Sequence, residues 1–182
     1  TPKKYGVEVD IRSDNNKLVV GHEAFKNKLS FNKWISKYNH KFLIANIKEE
    51  GIEHEVINIL KNNNIKNYFL LDVTIPQIIK LEKEKKFNFA IRLSKYETYH
   101  GVKKFSYFHR WIWIDTFNSK IPFSNKVLED LKLSNHKLCL VSPELGNPEI
   151  DLNKFIMSNR SLISHFDAVC SKKTEIWSKI CV

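Results

Sequence analysis

"GVEVDIRSDNNKLVVGHE", Gly6 to Glu23, holds two runs of alternating apolar and polar residues around Ser13-Asp14-Asn15-Asn16. Alternation with a period of two is the signature of a β-strand with one face turned inward. Val7, Val9 and Ile11 then point to one side. Glu8 and Asp10 share the other, about 6.6 Å apart along the strand. "SDNN" is far too short for a parallel crossover, so "KLVVGHE" (17–23) must return antiparallel and bring His22 back with it. A half-exposed surface hairpin would show this pattern. So would one wall of a metal-dependent site, because two carboxylates at that spacing can share a hard divalent cation such as Mg²⁺ or Ca²⁺, which prefers carboxylate and carboxamide oxygens. His22 would then lie beside the cation as a proton donor or acceptor. The stretch by itself leaves both readings open.

Beyond the hairpin, short apolar runs alternate with helical patterns. "KFLIANIK" (41–48), "NYFLLDVT" (67–74), "FNFAIRLS" (87–94), "RWIWIDTF" (110–117), "HKLCLVSPE" (136–144) and "DAVCSKK" (167–173) read as strands. Between them, "EHEVINILKNNN" (53–64), "PQIIKLEKEKK" (76–86), "SNKVLEDLKLSN" (124–135) and "LNKFIMSNRSLISH" (152–165) carry apolar residues at helical spacing. Pro76 suits a first helical turn, and Ser124 has the chemistry of an N-cap. Residues 24–40 read as a weaker helical linker and 94–109 as irregular. Repeated β–α units demand a parallel sheet with helices outside it. A doubly wound sheet would bring a Gly-rich phosphate turn, yet the chain has only 5 Gly and no GxGxxG. The pattern therefore points to a (β/α)8 barrel one unit short, forming a single domain over residues 1–182.

Composition narrows the function classes. With 182 residues, 42% hydrophobic and 27% charged, the chain can bury a sizeable core and is not disordered. No apolar run reaches the roughly 20 residues of a membrane helix, and no signal peptide precedes the first strand. The opening without Met suggests an upstream piece. Cys139, Cys170 and Cys181 are odd in number and have no CxxC spacing, which indicates neither a disulfide framework nor a zinc site and fits thiols in a reducing, cytoplasmic setting. The net charge of +10 comes from lysines scattered among Asn and Ile, not from a dense basic arm. It reads as a solvated surface, and nucleic acid is not an expected partner.

Every strand turns polar toward its C-terminal end: Glu8 and Asp10, Asn46 and Lys48, Asp72, Arg92, Asp115, Ser142 and Glu144, Ser171 and Lys172. In βα barrels that rim is where active sites are assembled. A strand leaving the core also becomes polar there. Clustered carboxylates, however, repel unless a cation or a basic group neutralises them. His54, His100, His109, His136 and His165 fall at loop or helix-edge positions and read as structural. Tyr96 and Trp113 could line a substrate pocket, but read first as packing residues.

"GVEVDIRSDNNKLVVGHE" resembles the E-x-D, turn, V-V-x-H-D segment of glycerophosphodiester phosphodiesterases. "FLIANIK" looks like that family's next strand, ending in E-x-K, and "DAVCSKKTEIW" is similar to its closing strand. A small bacterial branch, often encoded near surface-polysaccharide genes, resembles the chain along nearly its whole length. It matches "NIK" (46–48), "RLSKYE" (92–97), "WIDTF" (113–117) and "VSPEL" (141–145) in order. The resemblance implies a TIM barrel of the phosphatidylinositol-phospholipase-like type with a phosphodiester site at the strand C-termini. It implies Glu8, Asp10 and Asn46 as ligands of a divalent cation, His22 as one of two catalytic histidines and Lys48 as a basic residue facing the phosphate. Arg92, Glu97, Asp115 and Glu144 become candidate substrate-binding residues. The family's H-R-G strand and the Glu of its E-N-T stretch are not in this sequence. Asn46 stands where most members have a Glu, and "GHE" replaces H-D. Two functions follow as expectations: a metal-dependent hydrolase of a small phosphodiester, linked to lipid or surface-polysaccharide metabolism, or a weakly active binding protein on the same barrel.

Overall fold

The computed structural model describes residues 1–23, 29–84, 88–104, 111–117 and 120–180. The readings of His109, Cys181, residues 24–28 of the linker, 85–86 of the helix at 76–86, the first position of the strand at 87–94, 105–109 of the irregular stretch and the first position of the strand at 110–117 lie outside them. The chain divides into two compact units, Thr1–Ala90 and Ile91–Val182.

The first unit is built on the opening hairpin. β1 (Val7–Asp14) and β2 (Lys17–Val20) pair antiparallel, Ile11 opposite Val20 and Asp14 opposite Lys17. Asn15 and Asn16 both sit at positive φ, 49° and 59°, so the two-residue turn is of the I′ type whose twist matches a hairpin. Asn enters that region more readily than most residues, which is why "DNN" can turn here without glycine. As the alternation requires, Val9 and Ile11 are buried in the core. The 24–40 stretch contributes β3 (Leu29–Ser30), which pairs antiparallel with β2, and α1 (Phe31–Ile35).

On the other flank of β1 lies β4 (Leu43–Ile47), parallel to it, followed outward by β5 (Tyr68–Leu71), parallel to β4. The sheet order is β3-β2-β1-β4-β5. All of β4 is buried, as expected of a continuous apolar run in a parallel sheet. Gly6 fits the start of this pairing because a Cβ there would meet the Phe42 carbonyl oxygen at 2.9 Å. α2 (Glu53–Asn62) joins β4 to β5 and buries Val56 and Leu60. α3 (Ile75–Glu82) follows β5, with Pro76 in its first turn and the Thr74 hydroxyl accepting from the Gln77 N–H at 3.4 Å.

The second unit is a sheet of order β6-β7-β8-β9. Its strands are β6 (Ala90–Leu93), β7 (Trp111–Ile114), β8 (Lys137–Val141) and β9 (Ala168–Cys170). β7 and β8 pair in parallel, as do β8 and β9. Three helical details differ from expectation. The stretch read as irregular contains α4 (Tyr99–Lys104). α5 (Asn125–Leu133) has Ser124 at its N-cap position, but the side chain makes no capping bond. The single helix expected over 152–165 is two, α6 (Leu152–Ser158) and α7 (Arg160–Ile163), parted at Asn159. The Asn159 side chain donates to the Phe155 carbonyl at 2.8 Å, competing with the helix for its own acceptor. A last helix, α8 (Thr174–Ser178), places Trp177 in the core. Trp113 is buried, as read; Tyr96, by contrast, is exposed and pairs with exposed Phe117 at 5.9 Å between ring centroids. Cys139 is a buried free thiol. Among the described residues no helix is long and apolar enough to cross a membrane.

Candidate functional site

The first unit brings Glu8, Asp10, His22, Asn46 and Lys48 together at the C-terminal ends of β1 and β4. The parallel register sets Asp10 directly opposite Asn46, so both project from the same face of the sheet. Lys48 stands one residue beyond β4, anchored by its own N–H, which donates to the Ile11 carbonyl at 3.0 Å. His22 arrives on the hairpin's return, where the Gly21 N–H donates to the Asp10 carbonyl at 3.0 Å and the Arg12 guanidinium holds the His22 carbonyl at 3.1 and 3.2 Å.

Asp10 is the hub. Its Oδ2 lies 2.9 Å from His22 Nδ1. Its Oδ1 lies 3.1 Å from Lys48 Nζ, close enough for an ion pair, yet that buried oxygen accepts no aligned hydrogen bond. Lys48 Nζ also approaches Asp72 Oδ2 at 3.7 Å. Asp72 follows β5 directly, so the ammonium sits between carboxylates contributed from either side of β4. Sequence reading noted Asp72 as a polar strand end and gave it no role in this group. The available signal was its place at the end of "FLLD", one strand over from "NIK".

Glu8 and Asn46 form the second half of the cluster. Asn46 Nδ2 donates to Glu8 Oε1 at 2.9 Å, which fixes the amide orientation and leaves Asn46 Oδ1 buried without a donor. The Glu8 residue is exposed overall, but desolvation of its carboxyl is the leading reason that its pKa is raised. The Asn46 bond opposes that shift, the Asp10 charge adds to it, Lys48 opposes it and Asp72 adds to it.

Among the described residues no three His, Cys, Asp or Glu side chains converge on a metal position. The donor chemistry nonetheless suits a hard cation. Asn46 Oδ1 is a buried acceptor without a donor, and Asp10 Oδ1, on the facing strand position, meets only the Lys48 ammonium, with no aligned hydrogen bond. Buried acceptors of this kind are costly unless something fills their lone pairs. Oxygen donors of carboxylate and carboxamide type are what Mg²⁺ and Ca²⁺ take.

The remaining candidates belong to the second unit. Arg92 and Asp115 form an ion pair from the ends of β6 and β7. Glu97 accepts from the Ser94 hydroxyl, and that hydroxyl also accepts the Tyr96 N–H at 3.0 Å. Glu144 is buried and bonded inside the protein: it accepts from the hydroxyls of Ser142 and Ser171 and from the Lys172 N–H at 3.2 Å. The Trp177 indole N–H donates to Ser142 Oγ at 2.8 Å, so this network ties the ends of β8 and β9 to α8.

A solved glycerophosphodiester phosphodiesterase from Thermotoga maritima matches 95% of this chain and 84% of its own, with a TM-score of 0.71 at 14% identity. The fold is that of the glycerophosphodiester phosphodiesterases. A glycerophosphoryl diester phosphodiesterase from Parabacteroides distasonis is also similar, over 90% of this chain and 70% of its own, with a TM-score of 0.64 at 11% identity. No protein-family model and no curated protein matches the sequence. The two sheets with intervening helices are thus those of a TIM-barrel-like α/β fold. At such identities the likeness fixes the architecture, and chemistry has to be argued from the residues.

Proposed function

We propose that this chain is a cation-assisted phosphodiester hydrolase acting on a small phosphodiester of the glycerophosphodiester type. The observation that supports it most is the division of labour at Asp10: one oxygen orients His22, the other faces Lys48 and shares a strand position with the open Asn46 carbonyl. The cluster lies at the ends of parallel strands, where folds of this class place their chemistry.

Asp10 Oδ1, Asn46 Oδ1 and Glu8 would hold the cation. A divalent ion bound there supplies Lewis-acid neutralisation of a non-bridging phosphate oxygen. Lys48 adds a second positive charge facing the same region. It stabilises the negative charge that develops on phosphate in the transition state. With the proton of the His22–Asp10 contact on Nδ1, the imidazole leaves Nε2 as its acceptor. The His22 side chain is 77% exposed, so Nε2 is open to an incoming oxygen. In that position it transfers a proton to or from the bridging oxygen that is made or broken.

A second reading, a binding protein on the same fold, draws on one observation: Lys48 already stands against the Asp10 oxygen that the cation needs. Turnover separates the two. Hydrolysis of bis-(p-nitrophenyl) phosphate should depend on added Mg²⁺ or Ca²⁺ and stop with chelator. His22→Ala should lower the rate by about 10²–10⁴-fold. Cation binding without turnover, in a chain that binds phosphodiester, supports the binding protein instead.

A further inference from the structure

Lys48 stands between two carboxylates, and a divalent cation at the site would compete with it for one of them. We propose that Asp72 is a positioning residue for Lys48. It receives the ammonium when a divalent cation takes Asp10 Oδ1, and so sets the affinity of the site for that cation. The proposal rests on the cation site described under the proposed function.

The geometry favours a two-place ammonium. Lys48 extends from the end of β4, with Asp10 on the neighbouring strand to one side and Asp72 just past the strand on the other. The contact to Asp10 Oδ1 is 3.1 Å and that to Asp72 Oδ2 is 3.7 Å, one close and one slack. Two cations cannot share one carboxylate oxygen without strong repulsion, so an ion at Oδ1 must displace the ammonium. Closing the slack contact to charge-assisted hydrogen-bond distance takes a movement of about 1 Å, which a four-carbon stem provides by small torsional changes.

Asp72 itself is held for this task by its backbone. Its φ is +61°, in the left-handed region that side chains rarely adopt and that Asp and Asn enter more readily than others. The Lys48 and Asp72 side chains are 19% and 27% exposed, so their attraction is less screened than that of a surface pair. Without the Asp72 charge, an ammonium displaced from Asp10 would have lost the second of its two carboxylates. The cation would then have to displace a Lys48 that has no second carboxylate to move to.

The test is a double-mutant cycle read by calorimetric titration with Mn²⁺ or Ca²⁺, with no substrate present. Asp72→Asn should fold, because Asn tolerates positive φ at least as well as Asp. It should weaken the cation at least fivefold, and Lys48→Met should tighten it. In the Lys48→Met background, Asp72→Asn should change affinity by less than about twofold, since there is no ammonium left to receive. Equal weakening in both backgrounds means that Asp72 acts on the cation through space alone, and overturns the proposal. So does wild-type affinity in Asp72→Asn. At saturating Ca²⁺ the Nζ resonance of Lys48 should end at different positions in the wild type, where Asp72 receives the ammonium, and in Asp72→Asn, where nothing does; the same end point in both again overturns it. Asp10→Asn separates the underlying reading: saturable binding that survives this change places the cation elsewhere and removes both claims together.

Discussion

Replacing Asn46 by Asp changes one atom in kind, the Nδ2 that holds Glu8, and nothing in size. In the absence of cation the change deletes a 2.9 Å bond to a carboxylate and sets two carboxylates against each other. A hydrogen bond to a charged group contributes about 1.5–3 kcal/mol. Glu8 is exposed, so screening brings the expected loss to about 1–2 kcal/mol. At about 2–4 °C per kcal/mol for a chain of this size, Tm should fall by about 2–8 °C in chelator. With cation part of the loss is offset, because the introduced carboxylate supplies a charged oxygen in place of a neutral one. If the Kd falls from about 1 mM to about 0.1 mM, about 10 mM Ca²⁺ stabilises the native state by about 2.7 kcal/mol in place of about 1.4. Differential scanning fluorimetry in chelator and in Ca²⁺ should therefore show the deficit of Asn46→Asp shrinking by about 3–5 °C. A deficit of the same size in both conditions would refute the assignment of residue 46 to a cation site.

Other outcomes follow from the same geometry. The raised Glu8 pKa means that its neutral form contributes stability below the ordinary glutamate value, and that this contribution is lost as pH rises through the raised value. Wild type measured against Glu8→Gln should accordingly lose relative stability as pH rises above the ordinary glutamate value, and a difference flat with pH would contradict the desolvation of this carboxyl. The joint change Glu8→Gln and Asp10→Asn should abolish the rise in Tm that Mg²⁺ or Ca²⁺ produces, whereas a surviving rise locates the ion elsewhere. Trp177→Phe removes the indole donor to Ser142 and should destabilise by about 1–3 kcal/mol in urea titration, with no change in cation affinity. Duplex DNA should bind only weakly at physiological salt, since the lysines are dispersed; sub-micromolar binding with a steep salt slope would mean a phosphate track exists.

How far the sequence alone reaches differs between fold and site. The hairpin was legible because alternation and a polar turn are local: "VEVDI" specifies its faces, and "DNN" specifies a turn that asparagine can make. The β–α alternation was legible for the same reason. The break at Asn159 was not, because apolar spacing continues across it and only the side-chain bond to Phe155 reveals the competition. The short helix at Tyr99–Lys104 escaped notice because its stretch lacks an apolar stripe. At the site, Glu8, Asp10 and His22 could be grouped because one hairpin carries all three. Asn46 and Lys48 joined them only through a family resemblance. Asp72 needed the register of β4 against β5, a long-range pairing that no local pattern encodes. Glu144 was legible as a strand-end carboxylate, whereas its hydroxyl partners Ser142 and Ser171 needed the structure.

The most direct test of the central claim is phosphorus NMR of a glycerophosphodiester incubated with the protein and a divalent cation. A phosphomonoester signal should grow with time, vanish on chelation, and be nearly absent with His22→Ala. A monoester signal no larger than the protein-free blank, under conditions where cation binding at Asp10 has been demonstrated, would contradict the hydrolase assignment. It would leave the chain a binding protein built on a phosphodiesterase fold.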